Sequence, residues 1–560
     1  MKKLFPIFLL CSIFAPLLQA QTGNPHPKLV VGIVVDQMRF DYLERYKEKY
    51  GEGGFKRILG EGFSFKNAHF DYVPTETAPG HSSIYTGTTP SVHGIIGNSW
   101  FDRDQNKSVE NIEDPAVQLV GSKQPSLRGA SPVNLRAETI TDQLRWGSNF
   151  HSKVISVSFK DRGAILPGGH TPNGAYWLDT QTSPGYFVTS TYYMDKLPTW
   201  VSDFNGMDKG DDYLDRTWNT LYPIATYTES APDDNPYESI LQGKTSPTFP
   251  YDFKAMRKEF KASGNEYQLL WMSPWGNTML TDFAEAAVTN EALGKGDATD
   301  MLCISYSVTD VMGHTFGPQS VEVEDIYLRL DQDLKRLMEF LDEQVGKDEY
   351  VLFLTADHGV VPVVSQLDEF GIPSGVIPSN PYKDSLDHYL RARFGNKPWI
   401  QFFGHEYVYL NHFLIEHSDE ADLEELQEAS AEFLRNLANI RYALTAAELQ
   451  EEEYTEGVRR LMQHGFYPAR SGDVFLAYDP GYMVSYSPNA TVKDIRGTGH
   501  GTAYNYDTQV PILWYGKSIP HGSSARQVHT TDIASSLAVL LDLQMPSGAT
   551  QEPLLEIFKK

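Results

Sequence analysis

Three aspartates and three histidines, Asp36, Asp310, His314, Asp357, His358 and His500, lie far apart in this chain yet share a local setting: each follows an apolar run or sits in a short glycine-flanked turn. Singly they have ordinary explanations. An aspartate at a strand end caps turns, and Asp310 with His314 has the four-residue spacing of any helix face. Asp357-His358 is harder to explain that way, because it ends a buried apolar run, where charged groups need a partner. Together, three carboxylates and three imidazoles without a thiolate suit a catalytic divalent metal. Zn2+ fits best, with Mn2+, Co2+ or Fe2+ as alternatives, and a closed cysteine-rich structural site is excluded. Thr77-Ala78-Pro79-Gly80-His81 adds a hydroxyl where a helix is expected to start at Pro79, and Lys160-Asp161-Arg162 ends another apolar run with two cations. These are the parts of a two-metal phosphoryl-transfer centre with Thr77 as nucleophile.

Such a centre needs a scaffold that brings remote chain segments to one edge. Lys28 to Val35 and Tyr350 to Leu354 are unbroken apolar runs rather than alternating ones, so both read as strands buried on two faces, and Lys153 to Ser158, Met301 to Ser307 and Val510 to Tyr515 behave alike. Between them lie helical periods. Val323, Ile326, Leu330, Leu334, Leu337 and Leu341 recur at three- and four-residue spacing, with Ser320 as cap and Gly346 as stop. A second helix is expected over Leu423, Leu426, Phe433, Leu437 and Ile440, a capping box at Thr445 and Glu448, and a last helix from Asp532 to Leu541 capped by Thr531. This alternation implies an α/β protein with a mostly parallel sheet covered on both faces, whose ligands gather beyond the strand ends. If Lys160 and Arg162 continue a strand, they point together while Asp161 turns away.

The expected organisation is a signal peptide over 1–20, core segments at 21–165, 296–362 and 491–560, an inserted cap at 166–295 and a second insert at 363–490. Met1-Lys2-Lys3, the apolar stretch Leu4 to Leu18 and the small residue Ala20 have the regions of an export signal cleaved after about Ala20, which points to the periplasm. The apolar stretch is short for a membrane span and is interrupted by Pro6 and Pro16, so no stable membrane insertion is expected. Cleavage would take the net charge from −26 to −28 and leave Cys303 as the sole cysteine, excluding an intramolecular disulfide. So acidic a chain lacks the basic footprint that nucleic acid or an anionic membrane requires. An anionic substrate would be drawn only by a local positive centre.

Six segments in order resemble the alkaline phosphatase superfamily, most of all its bacterial threonine-nucleophile, zinc-dependent members: VVDQMRFDYL at 34–43, PTETAPGHSSIYTGTTPSVHGIIGN at 74–98, FKDRGA at 159–164, SYSVTDVMGHTFGP at 305–318, TADHG at 355–359 and GTGHGTAYNYDTQVPILWYG at 497–516. The resemblance spans nearly all of the mature chain. It implies an alkaline-phosphatase-like fold with two inserted subdomains over the site, and two Zn2+ ions. One would be held by Asp36, Asp357, His358 and Thr77, the other by Asp310, His314 and His500. It also implies that Asn98 donates to a phosphoryl oxygen, that Lys160 and Arg162 mark an enzyme for phosphate monoesters, and that turnover passes through a phosphothreonine.

Charge supports that substrate class. Two Zn2+, the three aspartates, Lys160, Arg162 and a Thr77 alkoxide leave a net +2, matching a monoester dianion, whereas a diester carries only one negative charge. The alternative within the superfamily is a phosphodiesterase or nucleotide pyrophosphatase sharing the ligands, Thr77 and Asn98; Lys160 and Arg162 count against it. A sulfatase would need a cysteine or serine followed by Pro and Arg at the nucleophile. An exported zinc-binding protein on a retired enzyme fold, or one that binds carbohydrate through Trp177, Tyr192, Tyr193, Trp271, Trp275 and Trp399, would have lost part of the site, and no expected group is missing.

Overall fold

Strand β1 (Leu29–Val35, LVVGIVV) is buried at every position, and the rest of the sheet is laid out from it. Each large aliphatic side chain so buried contributes about 1.5–3 kcal/mol of transfer free energy, which is why an unbroken Val/Leu/Ile run belongs at the centre of a two-faced sheet. The computed structural model describes residues 26–558 except 124–127, 181–184, 263, 486, 488 and 489; the export signal expected over 1–20 lies outside the described residues.

The other strands of the main sheet are β2 (Phe63–His69), β3 (Val154–Ser158), β4 (Gly174–Asp179), β5 (Tyr186–Ser190), β6 (Asp300–Tyr306), β7 (Tyr350–Thr355) and β8 (Gln509–Gly516), with Glu113–Val120, Arg128–Ala130, Gly522–Ser524 and Val528–His529 at its edges. The spatial order runs β2, β8, β7, β1, β6, β3, β4, β5. From β7 to β4 all neighbours are parallel, as expected, while β8 and β5 add antiparallel flanks.

Register decides where the site forms. Val35 lies opposite Tyr306 on β6, and Val34 opposite Thr355 on β7, so Asp36, Asp310 and Asp357 all leave the sheet at one edge. Ser305 pairs with Ser158 on β3, which delivers Lys160 to the same edge.

The helices that cover this edge are α1 (Thr77–Thr86), α2 (Asp161–Gly168), α3 (Val308–Phe316) and α4 (Val321–Leu341). The Ser320 hydroxyl caps α4 by accepting from Val323 N–H, and Gly346, at φ +115°, follows its last turns, as the sequence predicts. Helix α1 begins at Thr77 rather than at Pro79; a proline in the first turn is tolerated because its missing N–H has no partner inside the helix there.

Three expectations need correction. The division at 166 assigned β4 and β5 to an insert, but both hydrogen-bond into the main sheet. GAYWLD and YFVTS are short runs set in Pro-, Gly- and Thr-rich sequence, which masks strands that pairing in the sheet reveals. Ile440 does not extend the second helix, which ends at Arg435; it opens the strand Ile440–Thr445. Thr531 precedes the last helix, Asp532–Leu540, but makes no side-chain cap bond. Ile440–Thr445 joins Ile400–Phe403, Tyr407–Leu410 and Val474–Tyr478 in a four-stranded antiparallel sheet. That sheet has its own core, built around Leu386, Trp399, Val408, Leu426 and Leu434.

Candidate active site

Four of the six predicted ligands sit on the turn that follows a strand or at a helix start. Asp36 directly follows β1, Asp357 and His358 follow β7, Asp310 is in the first turn of α3, and His314 lies four residues on along that helix. His500 comes from a loop, 497–504, whose backbone is tied down at both sides: Thr498 N–H donates to His314 O at 3.0 Å and Val361 N–H to Gly499 O at 3.2 Å. Glycine is required at 497, where φ is +68° and a Cβ would stand 1.9 Å from His314 O. Thr77 opens α1, and Gly80 lets that helix rest on the end of β7, since a Cβ there would come within 2.3 Å of Asp357 O.

The residues converge. Ligand atoms of Asp36, Asp357 and His358 lie within 4.8 Å of one another, as do those of Asp310, His358 and His500. His314 Nε2 is 3.1 Å from Asp310 Oδ1, and the His314 and His500 rings are 5.0 Å apart. His358 thus stands between the two groups, stacked on His500 with ring centroids 3.6 Å apart.

Ring orientation is set from behind. His314 Nδ1 faces Thr498 O at 2.8 Å, His358 Nδ1 faces Gly359 O at 2.9 Å, and His500 Nδ1 faces Thr75 O at 2.8 Å. A carbonyl only accepts, so each Nδ1 carries a proton; the Nε2 atoms of His358 and His500 are left to present lone pairs to the cluster, while His314 Nε2 lies at hydrogen-bond distance from Asp310 Oδ1. Asp36 Oδ1, Asp357 Oδ2 and His358 Nε2 are buried atoms without a hydrogen-bond partner, and Asp36 Oδ2 meets only the Lys160 ammonium, at 2.7 Å. Orphaned donor atoms of this kind, in a mixed oxygen and nitrogen set, fit a divalent metal.

Electrostatics agree. Burial, with Asp357 next, raises Asp36 to about 7, and burial raises Asp357 to about 6. Burial also opposes ionisation of Asp310, but His314 and Lys160 outweigh it and hold the carboxyl well below its usual range. Burial, then His358 and His314, hold His500 well below an ordinary imidazole, and burial lowers His358 too. Burial works against charge on His314, but Asp310 outweighs it and raises the pKa of that imidazole; the crowded carboxylates beside the neutral rings of His358 and His500 would be compensated by a cation, which fits the same conclusion.

Lys160 and Arg162 do not lie on a strand, so the alternation expected for them is wrong. β3 stops at Ser158, Lys160 precedes α2 and Arg162 lies in its first turn. Lys160 nevertheless reaches the centre, with Nζ 2.7 Å from Asp36 Oδ2, 2.6 Å from Asp310 Oδ2 and 3.2 Å from Thr77 Oγ1. Burial disfavours its charge, yet Asp310 and Asp36 raise its pKa. Arg162 shares with it a cavity of about 450 Å³, walled by Trp177 and Trp271. On the other side, Asn98, His314 and His500 line a cleft of about 350 Å³ with Leu476, Met483 and Tyr504. Asn98 Oδ1 accepts Ala78 N–H at 3.0 Å, which fixes the amide so that its NH2 group is the part left to donate.

Sequence reasoning missed Gln37 and Glu76 and gave His81 no role. Gln37 bridges two predicted ligands, donating its backbone N–H to Asp357 Oδ1 at 3.1 Å and its amide to Asp310 Oδ1 at 2.6 Å. It does so from φ +65°, a conformation that costs a non-glycine residue about 1–3 kcal/mol. His81 Nδ1 lies 2.8 Å from Thr77 O and 3.3 Å from Asp357 Oδ2, and burial lowers its pKa to about 4. Glu76 accepts Asn98 N–H at 2.6 Å. Position beside Asp36 or Thr77 was the available signal for Gln37 and Glu76.

The fold and this cluster define the class: an α/β protein with a set of side chains able to hold metal at the carboxyl ends of a parallel sheet. A family profile described as type I phosphodiesterase / nucleotide pyrophosphatase matches residues 30–503. Alkaline phosphatase PafA of Elizabethkingia meningoseptica is 42% identical over 547 residues, covering 97% of this chain and 97% of that protein. Alkaline phosphatase PhoV of Synechococcus elongatus is 41% identical over 534 residues, covering 95% and 93%. The crystal structure of wild-type PafA matches with a TM-score of 0.89 at 42% identity, over 96% of this chain and 100% of that one. The chain belongs to the type I phosphodiesterase / nucleotide pyrophosphatase family of the alkaline phosphatase superfamily.

Proposed function

We propose that this protein is an alkaline phosphatase that hydrolyses phosphate monoesters to an alcohol and inorganic phosphate through a phosphothreonine on Thr77. The observation that carries the reading is the set of orphaned ligand atoms on Asp36, Asp357 and His358 beside the Thr77 hydroxyl and the buried Lys160 ammonium. The names of the two relatives of similar length support the activity.

Two Zn2+ ions are the cofactors that the donor set fits best, one on Asp36, Asp357, His358 and Thr77, the other on Asp310, His314 and His500. When bound, they supply Lewis acidity to the attacking and leaving oxygens. Thr77 Oγ1 attacks phosphorus as the bond to the leaving alcohol breaks; water then attacks the phosphothreonine, the P–Oγ bond breaks and phosphate leaves. Lys160 Nζ, 3.2 Å from Thr77 Oγ1, stabilises the alkoxide and then the phosphoryl oxygens. Asn98, held by Ala78 N–H, donates its NH2 to a non-bridging oxygen. Arg162 supplies the second cation that a dianion needs over a diester. Start at Thr77 gives α1 an N-terminus aimed at the phosphate.

The export segment at 1–20 would deliver the enzyme to the periplasm; among the described residues no helix is long and apolar enough to cross a membrane. The profile's diesterase description supports the second reading, a phosphodiesterase. One experiment separates them: purified protein is assayed with an aryl phosphate and an aryl phosphodiester, with bound metal quantified and then removed by chelator. Monoester turnover exceeding diester turnover by orders of magnitude, lost on chelation and restored by Zn2+, is expected. Equal or faster diester turnover, or full activity without transition metal, refutes the proposal.

A further inference from the structure

Away from that site, the seam between residues 217–252 and the start of α4 holds two carboxyl groups that the mechanism does not use. Glu322 is fully buried and Glu238 is 2% exposed. Tyr251 OH donates to Glu322 Oε1 at 2.7 Å, but Glu322 Oε2 and both oxygens of Glu238 have no hydrogen-bond partner. The Asn235 side chain lies near enough to favour ionised Glu238, though outside hydrogen-bond geometry. Lys244, whose charge reaches Glu322, donates its ammonium to Thr248 O at 2.6 Å and Pro250 O at 2.8 Å. Burial and then Glu322 hold Glu238 far above the carboxylate range, and burial raises Glu322 as well. A further buried oxygen without a partner, Gln319 Oε1, belongs to the same seam, where Gln319 O accepts Ala231 N–H at 2.7 Å.

We propose that Glu238 and Glu322 bind a structural Ca2+ ion that clamps the 217–252 segment to the N-terminal turn of α4. The donors are oxygens, and neither thiolate nor imidazole takes part, which selects a hard cation over the transition metals suited to the active site. Two buried carboxylates balance one divalent charge. Ca2+ accepts an all-protein, irregular oxygen shell, whereas Mg2+ keeps several waters and needs near-octahedral geometry. Near the clamp, Ser239 N–H donates to Thr315 O at 2.9 Å and Gly497 N–H to Tyr237 O at 2.8 Å. Thr315 follows His314, and Gly497 opens the loop that carries His500, so the ion braces the backbone behind both imidazoles.

Terbium luminescence tests this on the zinc-replete, full-length protein. Tyr251 touches Glu322 and its ring lies 5.2 Å from that of Trp218, so Tb3+ at the site is excited through both. Saturable luminescence that Ca2+ displaces is expected, and Glu238→Gln should weaken it by at least about tenfold with zinc content unchanged. A wild-type protein without such luminescence, or a Glu238→Gln protein that binds as tightly as wild type, overturns the proposal. Thermal melting of the wild type alone gives an independent reading that does not depend on how the variant folds. Ca2+ should raise its Tm at concentrations where Mg2+ does not. An unchanged Tm means that the carboxyls share a proton instead, and the ion is rejected; neither result bears on the phosphatase reading, which the activity assay tests separately.

Discussion

Replacing Lys160 and Arg162 by alanine tests the charge argument most directly. Lys160 is buried, and its ammonium meets Asp36, Asp310 and Thr77 within 3.2 Å. Once both carboxylates ligate metal, the oxygen on Thr77 is the partner whose charge changes during reaction, so the contact strengthens in the transition state. Loss of one charge-assisted contact costs about 1.5–3 kcal/mol, which is about 10- to 150-fold in kcat/KM. Arg162 is partly exposed, with its side chain 23% accessible, and its single loss belongs at the lower end of that range. The two cations act on the same phosphoryl oxygens, so the double variant should lose less than the product of the single losses. A diester, with one negative charge fewer, should lose about tenfold or less for either substitution. The assay is kcat/KM for an aryl phosphate and an aryl phosphodiester on all three variants, read as transition-state free energies, with zinc per chain measured in the same preparations. Equal losses for both substrates at full zinc content would refute the reasoning.

Other outcomes follow from the same contacts. Thr77→Ala should abolish the acid-trapped phosphoenzyme while Thr77→Ser keeps much of the activity; label on any other residue would rule out Thr77 as nucleophile. Gly80→Ala places a Cβ 2.3 Å from Asp357 O, and should cost about 1–3 kcal/mol of stability and reduce activity by shifting α1 off β7, measured by denaturant melts and kinetics. Asp142 accepts from Thr139 N, His170 N, Thr171 N and Thr171 Oγ1, and pairs with His170 Nδ1 at 2.9 Å. Burial works against Asp142, but His170 and these bonds lower its pKa below 3.8; burial works against His170, but Asp142 raises its pKa above 6.5. The Asp142 contribution is therefore complete above pH 3.8 and lost as pH falls through its folded value, and the His170 contribution is complete below pH 6.5 and lost as pH rises through its own. Asp142→Asn should destabilise the protein most between pH 3.8 and 6.5, by about 1.5–3 kcal/mol for the charged pair; a loss independent of pH would remove the ionic explanation.

Much of this was legible because it is local. An unbroken apolar run such as LVVGIVV can only be a strand buried on both faces, and the α4 pattern with Ser320 and Gly346 needs no tertiary information. Donor chemistry is equally local: three carboxylates, three imidazoles and no thiolate restrict the metal before any geometry is known. β4 and β5 are not legible in the sequence because they are short runs in Pro- and Gly-rich surroundings, and only pairing with β3 and each other places them in the main sheet. Lys160 and Arg162 were placed on the wrong element because the end of β3 depends on where Ser158 meets Ser305.

The amino-acid sequence by itself determined the buried strands, the acidic net charge, and the types of side chain offered as candidate metal ligands, all of which are properties of side-chain type and short spacing. Only the tertiary structure decided that Asp36, Asp310 and Asp357 share one edge, that His358 stands between two ligand groups, that Gln37 ties Asp310 to Asp357, and that Glu238 and Glu322 are both buried with oxygens left unpartnered. Those relations arise from strand register and from burial between segments hundreds of residues apart, where the free energy of a contact depends on what packs around it rather than on its neighbours along the chain.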